Sequence, residues 1–317
     1  MQELERKLSG QASESAELAR MRRVVAQLDT DKKATAERLG GLPQSTRGTG
    51  TLAPVQPQIE LSSGGVEYGR YFALIIGNQR YDAIPSLKTP HSDAERLART
   101  LKDKYGFSVQ LLEDADDVQM LRALNDFNAI LKPNDNLLVY YAGHGSRLRS
   151  AQAEVGYWLP KNAEPLPETT FWVQNEQITA HLGRLPARRV LVIADSCYAG
   201  LLSSDPGFLT LDQAGPVSAE YVRIKLPNRS RMLIASGGDE PVLDSDGAEN
   251  SVFARSLSEV LESNQRIRPA FQLFAQVRAR MQSALARSSV VQHPEFKSIK
   301  SAGHELGDFF FVPRSST

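Results

Sequence analysis

The 317-residue chain has a single cysteine, Cys197, which follows an unbroken apolar run, Val190 to Ala194, by way of Asp195 and Ser196. Five apolar residues led in by Arg188 and Arg189 and stopped by polar ones read as a parallel strand buried on both faces. Cys197 is thereby expected just past the strand's carboxyl end, the edge at which open α/β sheets bind ligands. A second such strand, Asn136 to Ala142, ends in Gly143-His144-Gly145, where flanking glycines allow a sharp turn and leave the imidazole uncrowded. A thiol and an imidazole at two strand ends suit nucleophilic cysteine catalysis, in which the ring takes the thiol proton and the thiolate attacks a carbonyl carbon. Singly, each has a plainer account. Free cysteine is often a small buried hydrophobe, and a histidine between glycines can be a solvated loop residue.

The two stretches Tyr140-Tyr141-Ala142-Gly143-His144-Gly145 and Ala194-Asp195-Ser196-Cys197-Tyr198-Ala199-Gly200 resemble the dyad region of metacaspases and bacterial caspase-like peptidases. His144 and Cys197 are 53 residues apart, in keeping with the caspase spacing of about 50. Where that caspase pattern has Gln-Ala-Cys, this chain has Asp195-Ser196-Cys197, which is similar to the metacaspase branch. The resemblance covers about residues 67 to 313. It implies a caspase-like fold and a cysteine endopeptidase with His144 and Cys197 as catalytic dyad. It also implies an oxyanion hole from the backbone N–H groups of Gly145 and Cys197, with Asp195 and Asp93 lining a pocket for arginine or lysine. From the residues alone, strand alternation projects Asp195 and Cys197 to the same side if the extended geometry persists. A strand-end hydrogen bond is the other account of Asp195, and a favourable first-turn charge on a helix the other account of Asp93. No third residue that would orient His144 is readable.

Elements able to position these residues follow in order. Tyr71 to Gly77 reads as a buried strand, and Ser92-Asp93-Ala94-Glu95 has the form of a capping box before the stripe Ala94, Leu97, Ala98, Leu101. A strand is expected at Phe107 to Leu112, helices at about Asp116 to Leu131 and Gln174 to Leu185, and a short extended segment at Val155 to Pro160. Met232 to Ala235 resumes the sheet, two helices follow, and Phe309 to Val312 is the terminal strand. Strands alternating with helices predict an α/β fold, a mainly parallel sheet with helices on both faces. Residues 203–230 have no sustained period and read as a long loop. In caspase-like enzymes this is the position of processing loops, so Arg223, Lys225 and Arg229 are candidate self-cleavage sites.

Residues 1–39 have a helix-forming composition, and Leu18, Met21, Val25 and Leu28 follow 3, 4, 3 spacing. That predicts a helical segment, amphipathic or a short coiled coil, through which copies would self-associate. Residues 40–66 read as a Gly/Pro/Ser-rich linker containing a further candidate cleavage site, Arg47. The domain proper is expected over 67–313.

Lysine plus arginine balances aspartate plus glutamate at 37 each, so no global field favours nucleic acid or an anionic membrane. Neither a membrane span nor a signal-peptide core is legible. One cysteine excludes an intramolecular disulfide and any multi-cysteine zinc site, and a reducing, cytoplasmic setting is the economical expectation. No metal or cofactor is expected. Gly145 to Ala153 carries no carboxylate, His91, His181, His293 and His304 lack ligand spacing, and Asp114, Asp116 and Asp117 suit a solvated loop with a helix cap. The expected partners are peptide or protein substrates with basic residues. Two rivals come from other classes. An α/β-hydrolase would need Gly-x-Cys-x-Gly, but Asp195 and Ala199 stand at those glycines, and its histidine would follow the nucleophile. A non-catalytic caspase-like adaptor binding partners through residues 1–39 is the other, and retention of both dyad residues argues against it.

Overall fold

The structure, a computed structural model, describes residues 61–63, 65–149, 154–202, 217–237, 249–286, 292–299 and 301–314. The helix expected over 1–39, Arg47 and the stretch 203–216 lie outside the described residues.

The domain opens with a hairpin, β1 (Leu61–Ser63) against β2 (Val66–Gly69), so the stretch read as linker ends in paired strand. There follow β3 (Tyr71–Gly77), α1 (Pro90–Tyr105), β4 (Ser108–Glu113), α2 (Asp117–Ile130), β5 (Asn136–Ala142), β6 (Gly145–Arg149) and β7 (Glu154–Trp158). After these come β8 (Val173–Gln174), α3 (Asn175–Arg184), β9 (Arg189–Asp195) and α4 (Ala219–Lys225). The chain continues through β10 (Ser230–Ala235), α5 (Val252–Ser263), β11 (Arg268–Pro269), α6 (Ala270–Leu285), β12 (Glu295–Ser298) and β13 (Phe310–Phe311).

Six strands form the central sheet in the order β12-β10-β9-β5-β3-β4, parallel throughout except for β12. All residues of β3, β5, β9 and β10 are buried, which is why each reads as a continuous apolar run. Alternate residues serve opposite faces. Ala73, Ile75, Leu138, Tyr140, Leu191 and Ile193 pack with α1, α5 and α6. Phe72, Leu74, Val139, Tyr141, Val190 and Val192 pack with α2 and α3. Truncating a fully buried residue such as Leu191 to alanine costs about 2–5 kcal/mol. Helices thus cover both faces, as the alternation of elements predicts. Among the described residues no helix is long and apolar enough to cross a membrane.

Several boundaries differ from the sequence expectation. The box at Ser92 to Glu95 is not formed: Thr89 takes the N-cap position without a side-chain capping bond, and Pro90, whose fixed φ suits the first helical turn, starts α1 earlier, placing Asp93 inside the helix and 1% exposed. Residues 219–225 of the expected loop are α4, with the Ser218 hydroxyl accepting from Tyr221 N at 3.1 Å. Seven residues are too few for a periodic signal, and the helix is held instead by buried Val222 and by the Tyr221 hydroxyl, which donates to Asp308 at 2.8 Å. The sixth strand of the sheet is β12, whereas the phenylalanine-rich β13 pairs only with β11.

Candidate active site

β5 and β9 are neighbours, with Ala142 opposite Asp195, so the segments carrying His144 and Cys197 leave the sheet side by side. Gly143 N donates to the Asp195 carbonyl at 3.4 Å, tying the two turns together. Any Cβ at position 143 would lie 2.7 and 2.8 Å from the hydroxyls of Tyr141 and Tyr81, so a side chain there would displace one or both. Those hydroxyls hold the histidine backbone: His144 N donates to Tyr81 Oη at 2.8 Å, and Tyr141 Oη donates to the His144 carbonyl at 2.7 Å. The ring of Tyr81 lies 4.9 Å from the imidazole, centroid to centroid.

His144 Nε2 is 2.8 Å from the Pro85 carbonyl. A carbonyl only accepts, so Nε2 carries the hydrogen and Nδ1 is left as the basic nitrogen of the neutral ring. The orienting group that the sequence did not disclose is therefore a backbone carbonyl, which has no residue-type signature.

Beyond β9 the chain turns through Ser196, Cys197 and Tyr198 into a single 3₁₀ turn, Ala199–Leu202. Tyr198 has φ +59°, a left-handed conformation unusual for an aromatic residue. The Arg147 guanidinium of β6 lies 4.5 Å from the centroid of its ring, and Arg147 is held in turn by Glu154 of β7 at 3.2 Å. Gly145 packs on the same turn, where a Cβ would collide with the Cys197 carbonyl oxygen. Cys197 itself is half-buried.

His144, Cys197, Asp195, Asp93 and Ser251 line one cleft together with Leu87. Asp195 and Cys197 thus line the same cleft, but through the turn that follows β9, because the extended geometry ends at Asp195 and strand alternation does not reach Cys197. Asp93, from α1, accepts from Asn250 Nδ2 at 2.8 Å and Ser251 N at 3.2 Å. Asp195, from β9, accepts from Ser251 Oγ at 2.6 Å. Burial pushes the Asp93 carboxyl up to about 7 and the charge of Asp195 adds to the rise, while hydrogen bonds from Asn250, Thr89 and Ser251 oppose it. Tyr140 of β5 is fully buried nearby, and its phenol is raised well above its usual range by burial and then by the charges of Asp195 and Asp93. Asn250 and Ser251 escaped the sequence reading. Ser251 is legible as a helix cap, but its place in the cleft is a contact between distant segments.

Arg223 and Lys225 lie in the last turn of α4, and Arg229 donates to the Gly183 carbonyl at 2.6 Å. None of the three lines the cleft. Asp116 caps α2 within a capping box, Asp117 accepts from Asn162, and Asp114 accepts from Gln79 N and Arg80 N and lies 2.7 Å from His91 Nε2. All three thus have structural partners, that of Asp116 local and those of Asp114 and Asp117 from segments remote in the chain.

A sequence model of the caspase domain matches residues 70–302. The chain belongs to that family. This caspase domain is 26% identical over 173 residues to Metacaspase-7 of Arabidopsis thaliana, a match covering 50% of this chain and 39% of that protein. It is 26% identical over 231 residues to Metacaspase-1A of Neurospora crassa, covering 67% of this chain and 48% of the relative. In fold it resembles the crystal structure of Caspase-1 from Spodoptera frugiperda, with a TM-score of 0.53 at 13% identity, covering 82% of this chain and 98% of that one. Membership makes this a caspase-like domain of the metacaspase type, a family of cysteine peptidases.

Proposed function

We propose that this caspase domain is a cysteine endopeptidase that hydrolyses peptide bonds after arginine or lysine. What carries the reading is the content of one cleft, where an imidazole, a thiol and two buried carboxylates meet. In the proposed reaction His144 takes the Cys197 proton and the thiolate sulfur attacks the scissile carbonyl carbon. The backbone N–H groups of Gly145 and Cys197 receive the oxyanion. As the intermediate collapses, the C–N bond breaks, His144 gives its proton to the departing amine, and a thioester remains. Water, deprotonated by His144, attacks that thioester and releases the acid, regenerating the thiol. The Pro85 carbonyl keeps the imidazole in the tautomer this sequence needs. Base, nucleophile and oxyanion donors all come from the chain, so the mechanism calls for no cofactor.

Asp195 and Asp93 supply the specificity in this reading. A buried negative pair attracts a guanidinium or ammonium group and repels an acidic side chain. Profiling cleavage of a peptide library is the test: cuts after arginine and lysine are expected, and a preference for aspartate would overturn the assignment.

Self-processing and self-association through residues 1–39 complete the proposal. Residues 203–216 contain no lysine or arginine, so an enzyme of this specificity has no site there. Arg223 and Lys225 are helical, and a cut after them requires α4 to unwind. Arg47, in a Gly/Pro/Ser-rich stretch, is then the first candidate. Incubating wild-type and Cys197→Ala protein side by side and reading fragment termini by mass spectrometry tests this. An intact wild-type chain that still cuts a basic peptide rules self-processing out.

A further inference from the structure

The two cleft carboxylates come from elements far apart in sequence, Asp93 on α1 and Asp195 at the end of β9, yet both are held by one short segment at the start of α5. Ser251 contributes twice, its backbone N–H to Asp93 and its hydroxyl to Asp195. The hydroxyl also accepts from Ala254 N at 2.9 Å, as the cap of α5. A serine hydroxyl has one hydrogen. With its lone pair engaged by Ala254, that hydrogen is committed to Asp195. Donors aimed at a carboxylate favour its ionised form, and the N-terminus of a 12-residue helix adds a positive potential at the same point. One position therefore reduces, without cancelling, the cost of placing two carboxylates together out of water.

We propose that Ser251 is a specificity-determining positioning residue, whose hydroxyl fixes the Asp195 carboxylate and keeps the pocket negative for a cationic side chain. This rests on the reading of the cleft as a pocket for arginine or lysine. Ser251 touches neither the thiol nor the imidazole in any described hydrogen bond, so its effect falls on binding rather than on the chemical step. Among the described residues, the other charged or titratable groups facing the pair are Arg96 on α1, which hydrogen-bonds Asn250 and Glu262, Tyr140 on β5, and His144 and Cys197 in the same cleft.

The test uses the full chain with Ser251→Gly and Ser251→Thr. Glycine is tolerated at a helix cap and retains the backbone donor to Asp93, so it removes the hydroxyl with little harm to α5. Threonine restores the hydroxyl. Expected for Ser251→Gly is a rise of about tenfold in KM for an arginine peptide, with kcat within about twofold of wild type. Losing a donor to the ionised pair raises its proton affinity, so the acid limb of kcat/KM moves to higher pH. The pH profile of Cys197 alkylation by iodoacetamide reads the dyad alone and is expected to stay in place. Ser251→Thr is expected to recover KM and the acid limb.

An unchanged KM and acid limb in Ser251→Gly overturns the inference while leaving the pocket reading intact. A fall in kcat together with altered alkylation also overturns it, assigning Ser251 a structural role. If wild type shows no preference for basic residues, the pocket reading falls first and the inference with it.

Discussion

The guanidinium carbon of Arg147 stands 4.5 Å above the ring of Tyr198, the residue that follows Cys197 and holds a φ of +59°. A tyrosine in that conformation costs about 1–3 kcal/mol and persists only where its surroundings hold it. The stack, with Gly145 packed on the Cys197 carbonyl, pins the turn that aims the thiol and its N–H. Arg147→Ala should lower kcat by about tenfold through misplacement of the turn, since small errors in reacting geometry are costly. Steady-state kinetics on an arginine peptide checks this, alongside thermal unfolding, which should change little. Equal losses in kcat for Arg147→Ala and an unrelated surface substitution would remove the argument.

Cys197→Ala should abolish cleavage and His144→Ala nearly so, each by several orders of magnitude, because the two act as one unit. Circular dichroism should report an unchanged fold for both. Residual turnover by Cys197→Ala would place the nucleophile elsewhere.

Gly145→Ala should abolish the proposed cleavage although it adds only a methyl group. That carbon cannot coexist with the Cys197 carbonyl oxygen, so the turn bearing the nucleophile must shift. Lost iodoacetamide reactivity of Cys197 in a protein that remains folded is the expected signature. Full activity in this variant would contradict the described packing.

Cleavage of basic peptides should depend on pH through Asp93. Below about 7 this carboxyl keeps its proton, and above about 7 it adds a negative charge to the pocket. KM for an arginine peptide should therefore fall as pH rises through about 7, and Asp93→Asn should flatten that dependence. A dependence unaltered in Asp93→Asn would exclude Asp93 as its source.

Stability runs the other way. The Asp93 carboxyl is raised from 3.8 to about 7, so between those values the folded chain holds a proton the unfolded chain has released. That contribution is present below 3.8 and lost as pH rises to about 7, leaving a destabilising charge above it. Asp93→Asn should thus raise Tm relative to wild type at pH 8 and narrow that difference at pH 5. Asp308, raised to about 6 chiefly by burial, acts in the same direction in both proteins and drops out of the comparison. Scanning calorimetry at the two pH values decides it.

How far the fold was legible depended on burial. β3, β5, β9 and β10 lie between two layers of helices and announce themselves as apolar runs. β12 is an edge strand of four residues in which Phe296 and Ser298 alternate with Glu295 and Lys297, too short and too polar to stand out. β6, rich in arginine, becomes recognisable only through its partner β7. At the site, Asp93 and Asp195 enter through the family resemblance, while His144, Cys197 and Gly145 are carried by residue type and local motif. The Pro85 carbonyl, the Tyr81 hydroxyl and the Asn250-Ser251 pair are not, because their contribution is a contact between segments remote in the chain.

The order in which the cleft's parts occur along the chain bears on its biosynthesis. Pro85 and Asp93 come first, then His144, Cys197, and last Asn250 and Ser251. The central β9 also needs β10 on its far side, and α5 covers the face on which Asp195 lies. A nascent chain that has just emerged as far as Cys197 has both groups of the proposed dyad but lacks Asn250 and Ser251, which donate to its two carboxylates. Domains tend to fold as units during synthesis. On this architecture the cleft is complete only once α5 has emerged, so a chain that already carries the proposed dyad does not yet hold the pocket proposed for a basic side chain.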